Sequence, residues 1–233
     1  MQLLYAVLTG DLIGSSKAPR ARLETAMANI AATAQFFTEF TGHDTRFTRY
    51  RGDGWQMILS PAFYLRAVTM ILARLKADPQ ALPTRIGLGI GTIESPGTTD
   101  LSDAKGPAFE HSGRALDSLT RDRTLALRGD LAEASGQDAK VAKLSGAIQW
   151  SDAALLPLIG FIAHRWSAPQ AEAIALALQN ENQKQAAIAD SLGITRQALN
   201  LRLTGAGYGP ILEALKLSEL HFQDTTDEGS QTA

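Results

Sequence analysis

Hydrophobic and polar positions alternate along the first part of the chain in a pattern that predicts strands separated by amphipathic helices. The order β-α-β-β-α-β-α-β predicts an α+β fold, a ferredoxin-like α/β sandwich with its helices on one side of a mixed sheet. The predicted strands are residues 2–9, 45–51, 54–60, 84–93 and 124–128, and the predicted helices are residues 19–40, 61–77 and 106–119.

The predicted strand 84–93 has one apolar face and one face made of glycine. Glycine weakens a strand and often stands where another part of the structure comes close. We therefore expect a close approach on the glycine face. The apolar positions are Ile86, Leu88 and Ile90, and the glycines are Gly87, Gly89 and Gly91.

The composition changes after about residue 130, which predicts a second domain. Residues 1–130 form the predicted sandwich, residues 131–150 a linker and residues 151–222 an all-helical domain. Ser167 is placed to cap a helix in this part. The polar residues 223–233 are expected to be a disordered tail.

Charge and cysteine content narrow the classes of function. The net charge is -2, which argues against a chain that coats nucleic acid through bulk charge. There are no cysteines, so disulfides and cysteine-type zinc sites are excluded. The N-terminus has no basic region before its apolar run, and no run approaches the ~20 residues of a membrane helix. We expect a cytoplasmic protein without membrane contact.

Two aspartates follow or connect neighbouring predicted strands. Asp11 ends the first strand, and Asp53 lies at the tip of the hairpin. Both can be simple turn residues. Alternatively, they converge and share a cation such as Mg²⁺, which proteins hold with one or two carboxylates and substrate phosphates. The backbone around Gly14 and Ser15, before a helix, can hold phosphates. Lys105 can reach a phosphate or simply be solvated.

Residues 182–215 have the spacing of a helix-turn-helix unit of the DNA-binding type. Ala189 precedes a turn at Gly193, and Leu199 follows it to hold the second helix. The alternative is a helical hairpin that serves packing or dimerisation. The exposed side of the second helix would carry side chains suited to guanine and adenine edges, namely Arg196, Gln197, Asn200 and Arg202.

The segments TGDLIGSS, RYRGDGWQMIL, RIGLGIGT and GPAFEHSGRAL occur in this order over residues 1–125. Together they resemble the class III nucleotidyl cyclase catalytic domain, and the whole chain resembles the SatD family of bacterial proteins. The cyclase resemblance implies a palm-type sandwich in which Asp11 and Asp53 bind two Mg²⁺ or Mn²⁺ ions with a nucleoside triphosphate or other nucleotide. It also implies a head-to-tail homodimer that combines residues of two chains.

The same resemblance implies roles for further side chains. Arg114 would stabilise the transition-state phosphate, and Arg49 with Asp103 would select the base. The chain departs from the family at Glu110, where the family has Asn. A carboxylate four residues before Arg114 can neutralise that arginine.

The leading hypothesis is a nucleotide-responsive DNA-binding regulator. The alternatives are an active nucleotidyl cyclase or nucleotidyltransferase whose helical domain dimerises, and a degenerate domain that serves as a dimer scaffold.

Overall fold

The computed structural model describes residues 4–50, 52–98, 100–129 and 154–227. The predicted linker 131–150 and residues 228–233 of the predicted tail lie outside these ranges. The strands are β1 (Leu4–Leu12), β2 (Arg46–Tyr50), β3 (Gly54–Leu59), β4 (Thr84–Thr92) and β5 (Leu125–Gly129). The helices are α1 (Arg20–Thr41), α2 (Tyr64–Ala77), α3 (Pro107–Asp117), α4 (154–165), α5 (Ala168–Gln179), α6 (Gln185–Ser191), α7 (Arg196–Gly205) and α8 (Tyr208–Asp227).

The strands form one mixed sheet in the order β2-β3-β1-β4-β5. Strand β1 lies at the centre and pairs antiparallel with β3 on one side and β4 on the other, while β4 and β5 are parallel. The prediction of an α+β fold with a mixed sheet is confirmed. The expected neighbourhood of β1 and the hairpin is confirmed as well.

The prediction that all helices cover one side of the sheet is wrong. Leu8 and Leu88 belong to the hydrophobic cluster that contains α1 and α2 side chains such as Ile30. Val7 points the other way and packs against Ala108 of α3. Successive strand residues alternate between the two faces, so α3 lies opposite α1 and α2. Apolar side chains of β1 and β3 supply the second hydrophobic face.

Glycines of β4 allow α3 to lie directly on the sheet. A Cβ atom on Gly89 would overlap the carbonyl oxygen of Ala108, and one on Gly87 would overlap the backbone at Ser112 and Leu116. The close approach expected from the glycine face is confirmed, and the approaching element is α3 of the same chain.

The C-terminal helices pack on α2 through α5 and extend the same hydrophobic cluster. Helix α5 begins with a capping box in which Ser167 and Gln170 satisfy each other's backbone N–H groups. Trp166, ahead of this helix, donates from Nε1 to the carbonyl of Ala206 at 2.8 Å. Helix α8 continues to Asp227, past the expected beginning of the tail at 223. The domain boundaries stay a prediction.

A buried ion cluster joins α2 to the C-terminal helices. The Arg66 side chain is 2% exposed and donates to both carboxylate oxygens of Glu219, at 2.5 and 3.1 Å. It also donates to Glu181 at 2.8 Å, and Lys216 binds the other oxygen of Glu181 at 2.5 Å. No helix within the described ranges has the length and apolar character needed to cross a membrane.

Candidate functional site

The register of the central strands places two aspartates side by side. Asp11 is opposite Gly54 in the β1–β3 pair, so Asp53 is the residue next to its cross-strand partner. The backbone closes this corner, since the N–H of Leu12 donates to the carbonyl of Asp53 at 3.2 Å. Both carboxylates therefore lie at one end of the sheet, which the hypothesis of a shared cation requires.

Packing around Gly10 fixes the backbone that carries Asp11. The indole of Trp55 lies across Gly10 so closely that any Cβ there would overlap the ring. Its Nε1 donates to Thr84 Oγ1 at 3.0 Å, and that hydroxyl donates to the Asp11 carbonyl at 2.7 Å. The end of β1 is thus held by a buried chain of hydrogen bonds from β3 and β4.

Arg85 is the direct partner of the Asp11 carboxylate. The two residues are opposite each other in the β1–β4 register. The guanidinium donates from Nε to Asp11 Oδ1 at 2.8 Å and from Nη2 to Oδ2, which makes a two-point contact. This hydrogen bonding raises the pKa of Arg85 above its ordinary value; burial opposes the rise, and the charges of Asp11 and Asp53 add to it. Arg85 therefore lies within electrostatic reach of both carboxylates.

The loop after β1 approaches Asp53. Ser15 donates its hydroxyl hydrogen to the Asp53 carboxylate. Gly14 has φ 77°, the left-handed conformation that glycine adopts without a Cβ clash. The backbone N–H groups of Ser15 and Ser16 form no hydrogen bond with a described residue. The loop therefore presents free donors beside the carboxylates, an arrangement that suits an anion.

Arg114 and Glu110 do not join this group within one chain. Ser112 faces the sheet, because its Oγ lies 2.7 Å from Thr9 Oγ1. Arg114 comes two residues later and points about 200° away around the helix. It is 64% exposed and binds Glu110 at 3.2 Å. The spacing that suggested self-neutralisation is thus observed as an ion pair on the outer face of α3.

The two residues predicted to select the base lie on opposite faces of the sheet. Arg49 is on the α1 face, where it donates to Glu24 at 2.9 Å and to the Gly52 carbonyl at 2.8 Å. Asp103 accepts hydrogen bonds from the backbone and hydroxyl of Thr98, which lower its pKa. Its loop reaches the α3 face, where the Leu101 N–H donates to Thr48 Oγ1.

Lys105 lies at the far end of β4 from the aspartates. Its backbone pairs with Ser95, beyond Thr92, whereas Asp11 is opposite Arg85. Arg85 and Thr92 are seven residue steps apart along the strand, which corresponds to roughly 20 Å. The exposed Lys105 side chain therefore does not reach the Asp11 site of its own chain.

Two site residues were not foreseen as such. Arg85 precedes Gly87 by two positions, so strand alternation does place it on the glycine face. Nothing local shows that this face meets Asp11, because the β1–β4 register depends on distant pairing. Glu24, which binds Arg49, lies in the first turns of α1 and belongs to no sequence motif that would indicate this contact.

The donor set at this end of the sheet fits a hard divalent cation. Within the described ranges no group of three or more metal-ligating side chains occurs. Mg²⁺ needs only one or two carboxylates when phosphate and water complete its shell. Asp11 and Asp53 supply two, although Arg85 and Ser15 currently engage them. A cation would have to compete with these partners.

Helices α6 and α7 form a second candidate site. They are joined by the turn 192–195, in which Gly193 has φ 63°. Ala189 and Leu199 are buried between them, and Thr195 caps α7 by accepting from the Ala198 N–H at 3.1 Å. The predicted contact residues differ in exposure: Arg196, Gln197 and Asn200 are exposed, whereas Arg202 is partly buried and binds Glu172 at 3.3 Å.

No protein-family model and no curated protein sequence matches the chain. Among solved structures, a bacterial light-regulated adenylyl cyclase is 19% identical and covers 55% of this chain and 76% of its own, with a TM-score of 0.40. The guanylate cyclase domain of RhGC from Catenaria anguillulae, in complex with GTP, is 14% identical, with 50% and 74% covered and a TM-score of 0.39. The active GGEEF domain of a diguanylate cyclase from Vibrio cholerae is 13% identical, with 54% and 83% covered and a TM-score of 0.36.

Proposed function

We propose that this chain is a cytoplasmic, nucleotide-responsive regulator that binds DNA. Its sheet end binds a nucleoside triphosphate with Mg²⁺ or Mn²⁺ at Asp11 and Asp53, and its α7 helix contacts DNA. The observation that carries the proposal is the strand register, which places Asp53 beside the cross-strand partner of Asp11. Two neighbouring carboxylates at a partly exposed strand end are a ligand set that suits a divalent cation, and a metal–triphosphate complex supplies one.

The β1–α1 loop supports the nucleotide part of the proposal. Its free N–H groups at Ser15 and Ser16 are next to Asp53 through the Ser15 hydroxyl. A phosphate bound there would share the cation with the two carboxylates. The bound metal would neutralise phosphate charge, while Asp11 and Asp53 hold the cation and the loop orients the phosphate chain.

The exposed N-terminal turn of α7 supports the DNA part. Recognition helices contact base edges mainly with their first residues, and Arg196 and Gln197 occupy those positions here. Asn200 follows one turn later on the same exposed side. Arg202 is held by Glu172, so its contribution to DNA would require that ion pair to open. In a homodimer, each of the two α7 helices would contact one half-site of the DNA.

Calorimetric titration tests the nucleotide part. ATP and GTP, each with Mg²⁺, are titrated into the wild type, Asp53→Asn and the control Asp117→Asn, which alters an exposed carboxylate on α3. We expect Asp53→Asn to weaken binding by about tenfold or more, or about 1.4 kcal/mol, and the control to bind like the wild type. Equal affinities in all three proteins would contradict the assigned site.

Fluorescence anisotropy tests the DNA part. Duplexes selected from a random library are measured with the wild type, Asn200→Ala and Gln35→Ala, an exposed amide on α1. Loss of one base-reading amide should cost about 1–3 kcal/mol at its base pair. Failure to select any duplex at low salt would exclude DNA as the partner.

The second candidate is a nucleotidyl cyclase or nucleotidyltransferase that uses two metal ions. It is favoured by the outward, exposed position of Arg114, which a second copy of the chain can reach. Arg114 and Glu110 would then complete the nucleotide site at the aspartates of a partner chain. Asp103 and Lys105 would contribute to the same shared site. Chromatography of the titrated samples separates the candidates, because a cyclic or linked nucleotide product identifies an enzyme.

A further inference from the structure

The Asp11–Asp53 corner already contains a positive group of its own. The Arg85 guanidinium contacts both oxygens of Asp11, and the charge of Asp53 acts on it as well. The two side chains are only about one-third exposed, at 37% for Arg85 and 28% for Asp11. Arg85 therefore provides at rest the charge compensation that a divalent cation would provide in a loaded site.

The contact is a specific one, because the strand register enforces it. Asp11 and Arg85 are directly opposite on the same face of β1 and β4. Thr84, the residue before Arg85, also holds the Asp11 carbonyl, so the two backbones cannot shift relative to each other without breaking this bond. A planar guanidinium that meets a carboxylate at two points is stronger and more selective in geometry than a single ammonium contact.

A divalent cation would have to share the two Asp11 oxygens with the guanidinium, which already takes a lone pair on each of them. Like charges close together repel, so a cation and the guanidinium also disfavour each other at this corner. The alternative is that the ion pair serves only to join β1 and β4. That alternative predicts a loss of stability on removal of Arg85, with no gain in metal affinity.

We propose that Arg85 is an internal counter-cation that keeps divalent metal out of the Asp11–Asp53 corner until its guanidinium leaves Asp11. Arg85 is thus a positioning residue that makes metal binding conditional. The inference rests on the proposed nucleotide function, which supplies the reason for a metal at this place. It predicts that Arg85 lowers the affinity for a divalent metal ion, and this affinity is measured without any nucleotide.

The test is a titration with Mn²⁺ in the absence of nucleotide, in which electron paramagnetic resonance measures the concentration of the free ion. The proteins are the wild type, Arg85→Gln, Arg85→Lys and the double variant Arg85→Gln with Asp11→Asn. We expect Arg85→Gln to bind Mn²⁺ about tenfold more tightly than the wild type. Arg85→Lys should fall between them, because a lysine keeps the charge but loses the two-point contact. The double variant should lose the gain.

Thermal unfolding of each variant verifies that it is folded before the titration. Unchanged or weaker Mn²⁺ binding in folded Arg85→Gln would overturn the inference, while nucleotide binding by the wild type would leave the proposed function standing. Tighter Mn²⁺ binding with no nucleotide binding would support the inference and remove the proposed function. A gain that persists in the double variant would also overturn it, because the metal would then bind elsewhere.

Discussion

Removal of Arg66 is predicted to destabilise the whole protein, because it takes away the guanidinium that binds both carboxylates of the buried cluster and leaves Glu181 with Lys216 alone. Arg66 forms three hydrogen bonds to Glu219 and Glu181, whose side chains are only 14% and 22% exposed. Burial alone lowers the pKa of Arg66, yet the two glutamates outweigh that effect and raise it. Breaking a buried pair by deleting one partner typically costs about 3–5 kcal/mol.

The assay is thermal unfolding of Arg66→Met. For a chain of this size about 1 kcal/mol shifts Tm by roughly 2–4 °C, so the expected fall is roughly 6–20 °C. The control Arg20→Met removes a side chain that is 91% exposed and forms a surface ion pair with Glu24, and should change Tm by no more than about 2 °C. Because both members of a buried pair can often be replaced by apolar residues, Arg66→Met with Glu219→Leu should recover much of the loss. A fall as small as that of the control would refute the reasoning.

Two further predictions concern packing and pH. In urea unfolding, Gly89→Ala should lower the free energy of unfolding by about 1–3 kcal/mol or more, because the added methyl group meets the Ala108 carbonyl. The control Gly113→Ala adds a methyl group to open space in the same helix–sheet layer. It should raise the free energy of unfolding by about 0.5–1 kcal/mol. Burial raises the pKa of Glu181, but hydrogen bonds from Lys216 and Arg66 outweigh it and lower the pKa below 4.5. Its stabilising contribution is therefore complete above pH 4.5 and is lost as the pH falls further. When Tm is measured against pH, the difference in Tm between the wild type and Glu181→Gln should shrink below pH 4.5. A difference that stays constant would contradict this.

The sequence was informative where the signal is local. Alternation along β1 and β4 and the glycine-flanked tip at Asp53 define the central strands and the hairpin. A hairpin places its two arms together, so the approach of Asp53 to the end of β1 followed once β3 was expected beside β1. The caps at Ser167 and Thr195 are equally local, since each side chain bonds to an N–H three residues later.

Features set by distant pairing could not be predicted from the sequence. Which face of the sheet α3 covers depends on its packing against Gly87 and Gly89, and the glycine pattern shows a close approach without naming its partner. The Asp11–Arg85 pair depends on the β1–β4 register in the same way. Lys105 comes just before α3, and α3 starts at the end of β4 that is far from the aspartates. Lys105 therefore lies at that far end.

The most direct test of the central claim is a crystal of the full chain grown with GTP or ATP and Mn²⁺, examined for the anomalous signal of the metal. The account predicts a manganese peak within coordination distance of the Asp11 and Asp53 carboxylates, with Arg85 moved away from Asp11 and phosphate density at the loop 14–16. A nucleotide bound elsewhere, or a metal peak that leaves the Asp11–Arg85 pair intact and touches neither aspartate, would contradict it.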